Sequence, residues 1–240
     1  MAYEHKNKAL IVDYTETWCP TCGSYGGPTL DDLVTNKECT SASVIKACQA
    51  SLPVSFNSPI SAGWFTDRVC PAWPTFGINA DVFGPISMNI NSNVNYINTK
   101  INTFAGQPNV ADVALMKSIS GTTMTVTTKV KFYTAQAASK DIRLAVYVLE
   151  DNLIANQQMD GAPDEPNYLH RNLLRAGNAS TYKGASLNTS AAIAANQEFE
   201  KTYSITLNSA WKTANLKVVA VIYDATATGL PIVINSNEIK

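Results

Sequence analysis

Charged residues are scarce in this chain, and long apolar runs are missing from it. Asp, Glu, Lys and Arg make up 15% of the 240 residues, whereas soluble domains usually hold about 25%. The net charge of −1 gives no electrostatic basis for binding nucleic acid. No stretch of about 18 consecutive apolar residues occurs, so the sequence predicts no membrane-spanning helix. Hydrophobic residues still make up 45%, enough for real cores.

The first residues, MAYEHKNK, also lack the apolar core of a signal peptide. Either the protein stays in the cytosol, or the given chain begins after a removed leader, with Met1 added for expression. Asn, Thr, Ser and Ala replace much of the missing charge, and such a polar but uncharged surface is common in exported bacterial proteins. We therefore favour the second interpretation and predict an extracytoplasmic location in the periplasm, the outer membrane or at the cell surface.

Cysteine is absent from the last two thirds of the chain. The cysteines, five in all, lie at positions 19, 22, 39, 48 and 70. This asymmetry is a first indication of two domains with different chemistry.

The spacing of apolar residues changes near residue 108. The first part predicts an α/β order of strands and helices, at residues 9–14, 23–38, 43–47, 73–78, 84–89 and 91–105. The second part predicts strands without long helices between them, at residues 111–119, 124–132, 142–149, 199–207, 216–223 and 230–234. We therefore predict an α/β domain at 1–107 and an antiparallel, immunoglobulin-like β-sandwich at 108–240, each with its own core.

Two cysteines three residues apart, Cys19 and Cys22, close the segment VDYTETWCPTC at residues 12–22. Such a pair can hold a metal, form a small structural disulfide or exchange electrons with another protein. A zinc site needs four ligands, but the other cysteines stand alone and the histidines are only His5 and His170. A structural disulfide across so short a loop contributes little stability. These points favour a redox pair.

Redox exchange needs a thiolate and a proton acceptor. A helix that begins at Cys19 would direct its free N–H groups at that sulfur and favour the thiolate. Pro20 suits the first helical position, where its missing N–H costs nothing. Asp13 lies six residues before Cys19 in an apolar strand, and burial raises the pKa of a carboxylic acid toward the range of proton relay. The alternative is a solvated acid at the strand end.

The segment VDYTETWCPTC resembles the active-site segment of the thioredoxins, in which a strand ending in Val-Asp-Phe precedes Trp-Cys-x-x-Cys. PTLDDL at 28–33 resembles the proline-kinked part of their active-site helix, although GSYGG at 23–27 is glycine-rich and one residue longer. WPTF at 73–76 resembles the element whose proline is cis in that superfamily, and Pro71 is a competing candidate. The resemblance covers roughly residues 3–106 and implies a thioredoxin-like domain.

The resemblance implies a catalytic set in which Cys19 attacks, Cys22 resolves and Asp13 accepts a proton. It also implies a substrate groove lined by Trp18, Trp73 and Pro74. The substrates would be protein or peptide thiols and disulfides, and neither a cofactor nor a metal is expected. Pro-Thr separates the two cysteines where thioredoxin has Gly-Pro. Because this dipeptide helps to set the reduction potential, the direction of the redox reaction stays open.

Three segments of the second part are similar to the outer membrane protein 28-related family: RLAVYVLEDNLIANQQ at 143–158, YLHRNLLRA at 168–176 and LKVVAVIYD at 216–224. That family contains exported, often lipid-anchored proteins of Gram-negative bacteria. The resemblance implies export and allows a lipid anchor in the full-length precursor; it leaves the oligomeric state open. Our leading hypothesis is an exported thiol–disulfide oxidoreductase. The alternative is an envelope or cell-surface binding protein that uses the thioredoxin-like unit as a scaffold.

The remaining cysteines and one histidine allow two interpretations each. A strand of five residues would separate Cys39 from Cys48 by about 15 Å, too far for a disulfide. Cys48 could pair with Cys70, or both could be free and buried. His170 and the neighbouring Arg171 could bind a ligand, but a histidine with satisfied hydrogen bonds at a strand end is the favoured interpretation.

Overall fold

The computed structural model describes residues 1–35, 42–67, 72–84 and 86–240. The helices are α1 (Gly27–Thr35), α2 (Pro59–Asp67) and α3 (Ile90–Ala105). The strands up to the middle of the chain are β1 (Ala9–Tyr14), β2 (Ala42–Ala47), β3 (Thr75–Ile78), β4 (Asp81–Phe83), β5 (Ala111–Ser120), β6 (Thr123–Phe132) and β7 (Ile142–Glu150). The later strands are β8 (Leu153–Gln157), β9 (Glu165–His170), β10 (Leu173–Gly177), β11 (Ala185–Ser186), β12 (Glu198–Thr206), β13 (Leu216–Asp224) and β14 (Ile232–Ile239).

The described residues form several β-sheets with few helices. The largest sheet has nine strands in the order β14-β13-β7-β10-β2-β1-β3-β4, with β11 paired to β7. Strand β2 runs parallel to both β1 and β10, whereas β3 and β4 continue the sheet in antiparallel pairs. A three-stranded sheet, β12-β6-β5, and the hairpin β8-β9 complete the strands. The protein is therefore mostly β, with mixed sheets.

The central strands of the nine-stranded sheet are buried on both faces. Successive apolar residues along these strands point to opposite faces, so each face has apolar residues to bury. On one face, β7 and β13 pack against the three-stranded sheet and form a sandwich core that includes Leu144, Val146 and Val126. On the same face at the other end of the sheet, β1 and β2 pack against α1 and α3 through residues such as Leu33 and Ile97.

The opposite face of the sheet is one core shared by both parts of the chain. Leu10 and Val12 of β1 lie in the same buried cluster as Tyr147 of β7 and Val219 and Val221 of β13. The sequence predicted that the sandwich would close its core without the first part, and this expectation is wrong. Even-numbered residues of β13 face the sandwich, so its odd-numbered residues must face the shared core.

Several element boundaries differ from the prediction. The hairpin partner of β3 is residues 81–83 rather than 84–89, because Asn79 turns the chain early with a φ of +52°. Strands β8, β9 and β10 were not predicted. Helix α3 ends at Ala105 and β5 begins at Ala111, so the type of secondary structure changes at the predicted boundary. The division into two domains at that boundary stays a prediction.

Candidate functional site

Cys19 and Cys22 form a disulfide bond at the start of a helical segment, with an S–S distance of 2.08 Å. The backbone N–H of Cys22 also donates to the sulfur of Cys19 at 3.2 Å. An amide directed at this sulfur stabilises negative charge on it after reduction. Cys19 is 4% exposed and Cys22 is 1% exposed, so the disulfide is nearly enclosed.

The helical segment contains a π-helical turn, Cys22–Gly26, before it continues as α1. A π turn accommodates one extra residue within a helix and is frequent at functional sites. The stretch GSYGG at 23–27 is one residue longer than the corresponding part of the thioredoxin helix, and the π turn accommodates that extra residue. Gly26 lets Pro74 pack closely against the turn, since a Cβ atom at Gly26 would lie 2.8 Å from the ring of Pro74.

Asp13 lies in β1 on the sheet face that is covered by α1, and its side chain is fully buried. Neither of its carboxyl oxygens has a hydrogen-bond partner among the described residues. Burial raises the pKa of Asp13 to about 7, while the ammonium of Lys46 opposes the rise and the carboxyl of Asp31 adds to it. The apolar neighbours of Asp13 predicted this burial, and the pKa suits proton transfer near neutral pH.

Two exposed tryptophans flank the disulfide. The rings of Trp18 and Trp73 meet edge to face with their centroids 5.3 Å apart. The hydroxyl of Thr21 donates to the backbone carbonyl of Trp73 at 2.9 Å, which ties the Cys-Pro-Thr-Cys segment to the loop before β3. The Trp73–Pro74 peptide bond is cis, as the thioredoxin resemblance implies. The structure therefore brings Trp18, Trp73 and Pro74 together beside the cysteines, and their role as a substrate groove stays a prediction.

A carboxylate that the sequence analysis missed anchors the loop under Trp18. Glu16 is 1% exposed, and its Oε1 accepts hydrogen bonds from the backbone N–H groups of Gln49 and Ala50 at 2.8 and 2.9 Å. Its other oxygen accepts from the hydroxyl of Ser51 at 2.6 Å. Three donors satisfy this buried charge. The indole N–H of Trp18 donates to the carbonyl of Ala50 in the same loop.

The hairpin β8-β9 lies over the cysteine segment and contributes the second residue that sequence analysis missed. The buried side-chain amide of Gln157 donates to the backbone carbonyls of Glu16, Thr17 and Cys19 at 3.1–3.2 Å. Farther along the hairpin, the backbone N–H of Asp160 donates to the hydroxyl of Ser24 at 2.8 Å. These bonds join residues more than 130 positions apart, so no local pattern could have indicated them.

Gly23→Ala should displace this hairpin and destabilise the protein by about 2 kcal/mol, because inserting an atom into a packed contact costs roughly 1–3 kcal/mol. A Cβ atom at Gly23 would lie 2.2 Å from the backbone oxygen of Gln158, which cannot rotate away. Chemical denaturation measures the destabilisation. After reduction, alkylation of Cys19 should also become faster, because the hairpin no longer covers it.

Gly106→Ala is the matched control for Gly23→Ala. The nearest atom to a Cβ at Gly106 would be the carbonyl oxygen of Asn102 at an ordinary 3.5 Å. We expect a change in unfolding free energy of less than about 0.5 kcal/mol, as for surface substitutions in general. Equal unfolding free energies for the two variants would show that the hairpin does not press on Gly23.

Of the three remaining cysteines, the structure describes Cys48. Cys48 is buried and free, and burial raises the pKa of its thiol to about 12. Because Cys48 is free, the proposed Cys48–Cys70 disulfide is not formed. Cys39, Cys70 and Pro71 lie outside the described residues. No group of three or more His, Cys, Asp and Glu side chains in the described part of the chain could hold a metal ion.

The sandwich and the hairpin β8-β9 come from the part of the chain that a family model matches. The model of the outer membrane protein Omp28 matches residues 90–239. The chain belongs to the Omp28 family. This family places it among outer membrane proteins, consistent with the predicted extracytoplasmic location. Within the described residues, no helix combines the length and apolar character needed to cross a membrane. A sequence comparison with curated proteins gives no match.

Solved structures share the fold at low sequence identity. HBP35 of Porphyromonas gingivalis has a TM-score of 0.75 at 18% identity, over 99% of this chain and 76% of that one. A protein of Agrobacterium tumefaciens has a TM-score of 0.53 at 12% identity, over 97% of this chain and 94% of that one. A domain of the outer membrane lipoprotein Omp28 from Porphyromonas gingivalis covers 55% of this chain and 87% of its own, with a TM-score of 0.35 at 18% identity. The likenesses to HBP35 and to the Agrobacterium protein concern the fold alone.

Proposed function

We propose that this Omp28-family chain is an envelope protein whose Cys19–Cys22 pair exchanges disulfides with protein or peptide thiols. The observation that carries the proposal is the placement of the pair, with Asp13 buried beneath the same helix and Trp73–Pro74 beside it. The strand order β2-β1-β3-β4, with β1 and β2 parallel and the other pairs antiparallel, supports a thioredoxin-like interpretation of residues 1–107.

The proposed chemistry needs only groups of this chain. In the reduced protein, the Cys19 thiolate attacks a disulfide of the partner and forms a mixed disulfide. Cys22 then gives its proton to the ionised Asp13 and attacks the sulfur of Cys19. This attack breaks the mixed disulfide, restores the Cys19–Cys22 bond and releases the second partner sulfur as a thiolate. The two partner thiolates take up protons, one from Asp13 and one from water. The two electrons pass from the cysteine pair to the partner. A near-neutral pKa lets Asp13 take and release that proton at the pH of the reaction.

A second candidate is an envelope binding protein in which the same unit is a scaffold. Family membership supports this candidate, and so does the cover that the hairpin β8-β9 places over a disulfide that is at most 4% exposed at either cysteine. A large substrate protein must reach Cys19 from the side of Trp18 and Trp73.

The reduction potential of the Cys19–Cys22 pair separates the two candidates. Equilibration with glutathione or dithiothreitol buffers should give a value between about −120 and −270 mV for a pair that exchanges disulfides, the range of known oxidoreductases. A value below about −300 mV would mean a bond that stays oxidised, and it would favour the binding protein.

Asp13→Asn should change both stability and exchange. The folded pKa of about 7 lies above the ordinary value of 3.8, so the stability that the protonated acid contributes is complete below pH 4 and is lost as pH rises to about 7. The variant should therefore be more stable than the wild type at pH 8 by about 4 kcal/mol, and equal to it at pH 3. Disulfide exchange near neutral pH should be slower, because Cys22 loses its proton acceptor.

Denaturant titrations of both proteins from pH 3 to pH 8 measure the first effect, and pH–rate profiles with a model disulfide measure the second. Asp32→Asn is the control, since Asp32 lies on the outer side of α1 and is partly exposed. An Asp13→Asn protein with the wild-type pH–rate profile would remove Asp13 from the mechanism, whatever its stability.

A further inference from the structure

Two basic side chains meet in the interior on the α1 face of the sheet. Lys46 of β2 is 2% exposed and His170 at the end of β9 is fully buried. The ammonium nitrogen of Lys46 lies 3.1 Å from Nδ1 of His170. An ammonium group can only donate, so Nδ1 accepts and the ring proton resides on Nε2. That nitrogen faces the carbonyl oxygen of Ala155 at 3.4 Å.

His170 is built to stay neutral. Burial and the neighbouring Lys46 ammonium lower the pKa of His170 to about 3, although the carbonyl of Ala155 opposes the shift. The imidazole therefore remains a hydrogen-bond acceptor for Lys46 at every pH above about 4. Its ring also contacts Phe56 and Tyr168, with centroids 4.9 and 5.0 Å away, which fixes its orientation.

Lys46 is also the direct strand neighbour of Asp13. The two residues are register partners in the parallel pair β1-β2, so their side chains leave the same face of the sheet about 4.8 Å apart. Nevertheless, the oxygens of Asp13 accept no hydrogen bond from any described residue. The Lys46 ammonium is directed at His170 instead, and Asp13 is left without an ion pair.

We propose that His170 is a positioning residue for the Cys19–Cys22 site: His170 holds the Lys46 ammonium away from the Asp13 carboxyl. The inference rests on the proposed function, in which Asp13 relays a proton. An opposite charge in direct contact lowers a carboxyl pKa by about 1–3 units. Released from His170, Lys46 would pair with Asp13 and lower the pKa of its carboxyl, and a carboxylate with a low pKa is a poor acceptor for the Cys22 proton near neutral pH.

The groups that face Asp13 come from three elements. Its interactions with titratable side chains involve Asp31 of α1, Lys46 of β2, Cys48 directly after β2, and Tyr168 of β9. Its partner on β3 is the uncharged Phe76. Lys46 is the cation of this set, so its position decides the electrostatic environment of Asp13. His170 lies within residues 90–239, the part matched by the Omp28 model. In this proposal, a residue of the second part of the chain therefore sets the electrostatic environment of Asp13 in the first part.

Four variants of the full-length protein test the proposal: His170→Leu, His170→Gln, Lys46→Met and the double variant Lys46→Met with His170→Leu. The readout is the pKa of Asp13, followed by carboxyl carbon NMR in the oxidised protein and assigned with Asp13→Asn. His170→Leu removes the acceptor and should lower this pKa by about one unit or more. His170→Gln keeps an acceptor oxygen for Lys46 and should stay within about half a unit of the wild type.

The lysine variants should shift the pKa of Asp13 in the opposite direction. Lys46→Met removes the charge and should raise the pKa of Asp13 by about one unit. The double variant should match Lys46→Met, because His170 acts only through Lys46. A merely structural role for His170 would shift the Leu and Gln variants alike, and an unchanged or raised pKa in His170→Leu would overturn the proposal. If His170→Leu fails to fold, a Lys46→Met protein with an unchanged Asp13 pKa overturns it equally.

The readout does not depend on catalysis. The pKa of Asp13 is measured in the oxidised protein without a substrate, so the result holds even if the protein exchanges no disulfides. The reduction potential and the exchange rate then decide the proposed function separately.

Discussion

Cys22→Ser will trap partner proteins as mixed disulfides through Cys19, whereas Cys19→Ser will trap none. In the proposed order of attack, the partner is bonded to Cys19 and only the Cys22 thiol can release it. Removing Cys22 therefore stops the reaction at the mixed disulfide, and removing Cys19 prevents its formation. Nonreducing electrophoresis of envelope extracts, followed by reduction and mass spectrometry, measures the trapped species for each variant.

Cys48→Ser is the matched control, because Cys48 is a buried thiol whose pKa is raised to about 12. It should trap nothing and should exchange disulfides at the wild-type rate. The assignment of Cys19 as the attacking residue would be wrong if Cys19→Ser trapped as much as Cys22→Ser. If neither variant traps a partner and the wild type reduces no insulin, the redox proposal is wrong and the binding-protein candidate is favoured.

The first part of the site could be predicted because its information is local. An apolar strand with one acid, a Cys-x-x-Cys segment and Pro20 lie within residues 9–22, and each has a direct physical meaning. The spacing of apolar residues likewise gave α3 within one residue of its observed start. Burial of Asp13 followed from its neighbours, because a strand of the type ALIVDY is buried on both faces.

The cover of the site could not be predicted because it depends on distant residues. Strands β8 and β9, LIANQ and EPNYLH, contain few apolar residues and alternate irregularly, so periodicity gives no strand signal there. The contacts of Gln157 with the cysteine segment and of His170 with Lys46 span more than 120 positions. Lys46 could have been noticed from the sequence, because it is a lysine inside the apolar strand SVIKA. A charged side chain in a buried strand needs a buried partner.

The shared core was missed for a different reason. The pattern of β13, LKVVAVIYD, shows that the strand is buried on both faces, but it does not show what covers each face. On the sequence alone, Val219 and Val221 belong to the core of the predicted sandwich, because both lie within residues 108–240. The structure places them in one buried cluster with Leu10 and Val12 of β1, on the face opposite to the sandwich. Continuity of one sheet through β10 and β2 makes this arrangement possible.

The shared core leads to the last prediction: residues 1–107 expressed alone will not unfold cooperatively. Without the second part, Leu10, Val12 and Ile45 lose the residues of β7, β10 and β13 that share their buried cluster, and β2 loses its pairing with β10. Burying one such side chain contributes about 1.5–3 kcal/mol, and a folded domain is held by only about 5–15 kcal/mol. Calorimetry should show no sharp transition, and a dye that binds exposed apolar surface should bind the fragment strongly.

Coexpression with residues 108–240 is the control, because it restores the covering strands without the covalent link. The complemented protein should regain a cooperative transition and lose the dye binding. A fragment 1–107 that unfolds cooperatively and also exchanges disulfides would contradict the prediction and support independent domains. In that case the contacts of Leu10 and Val12 with the second part would be a docking interface. The redox unit could then act alone, and the hairpin β8-β9 would restrict its substrates rather than complete its fold.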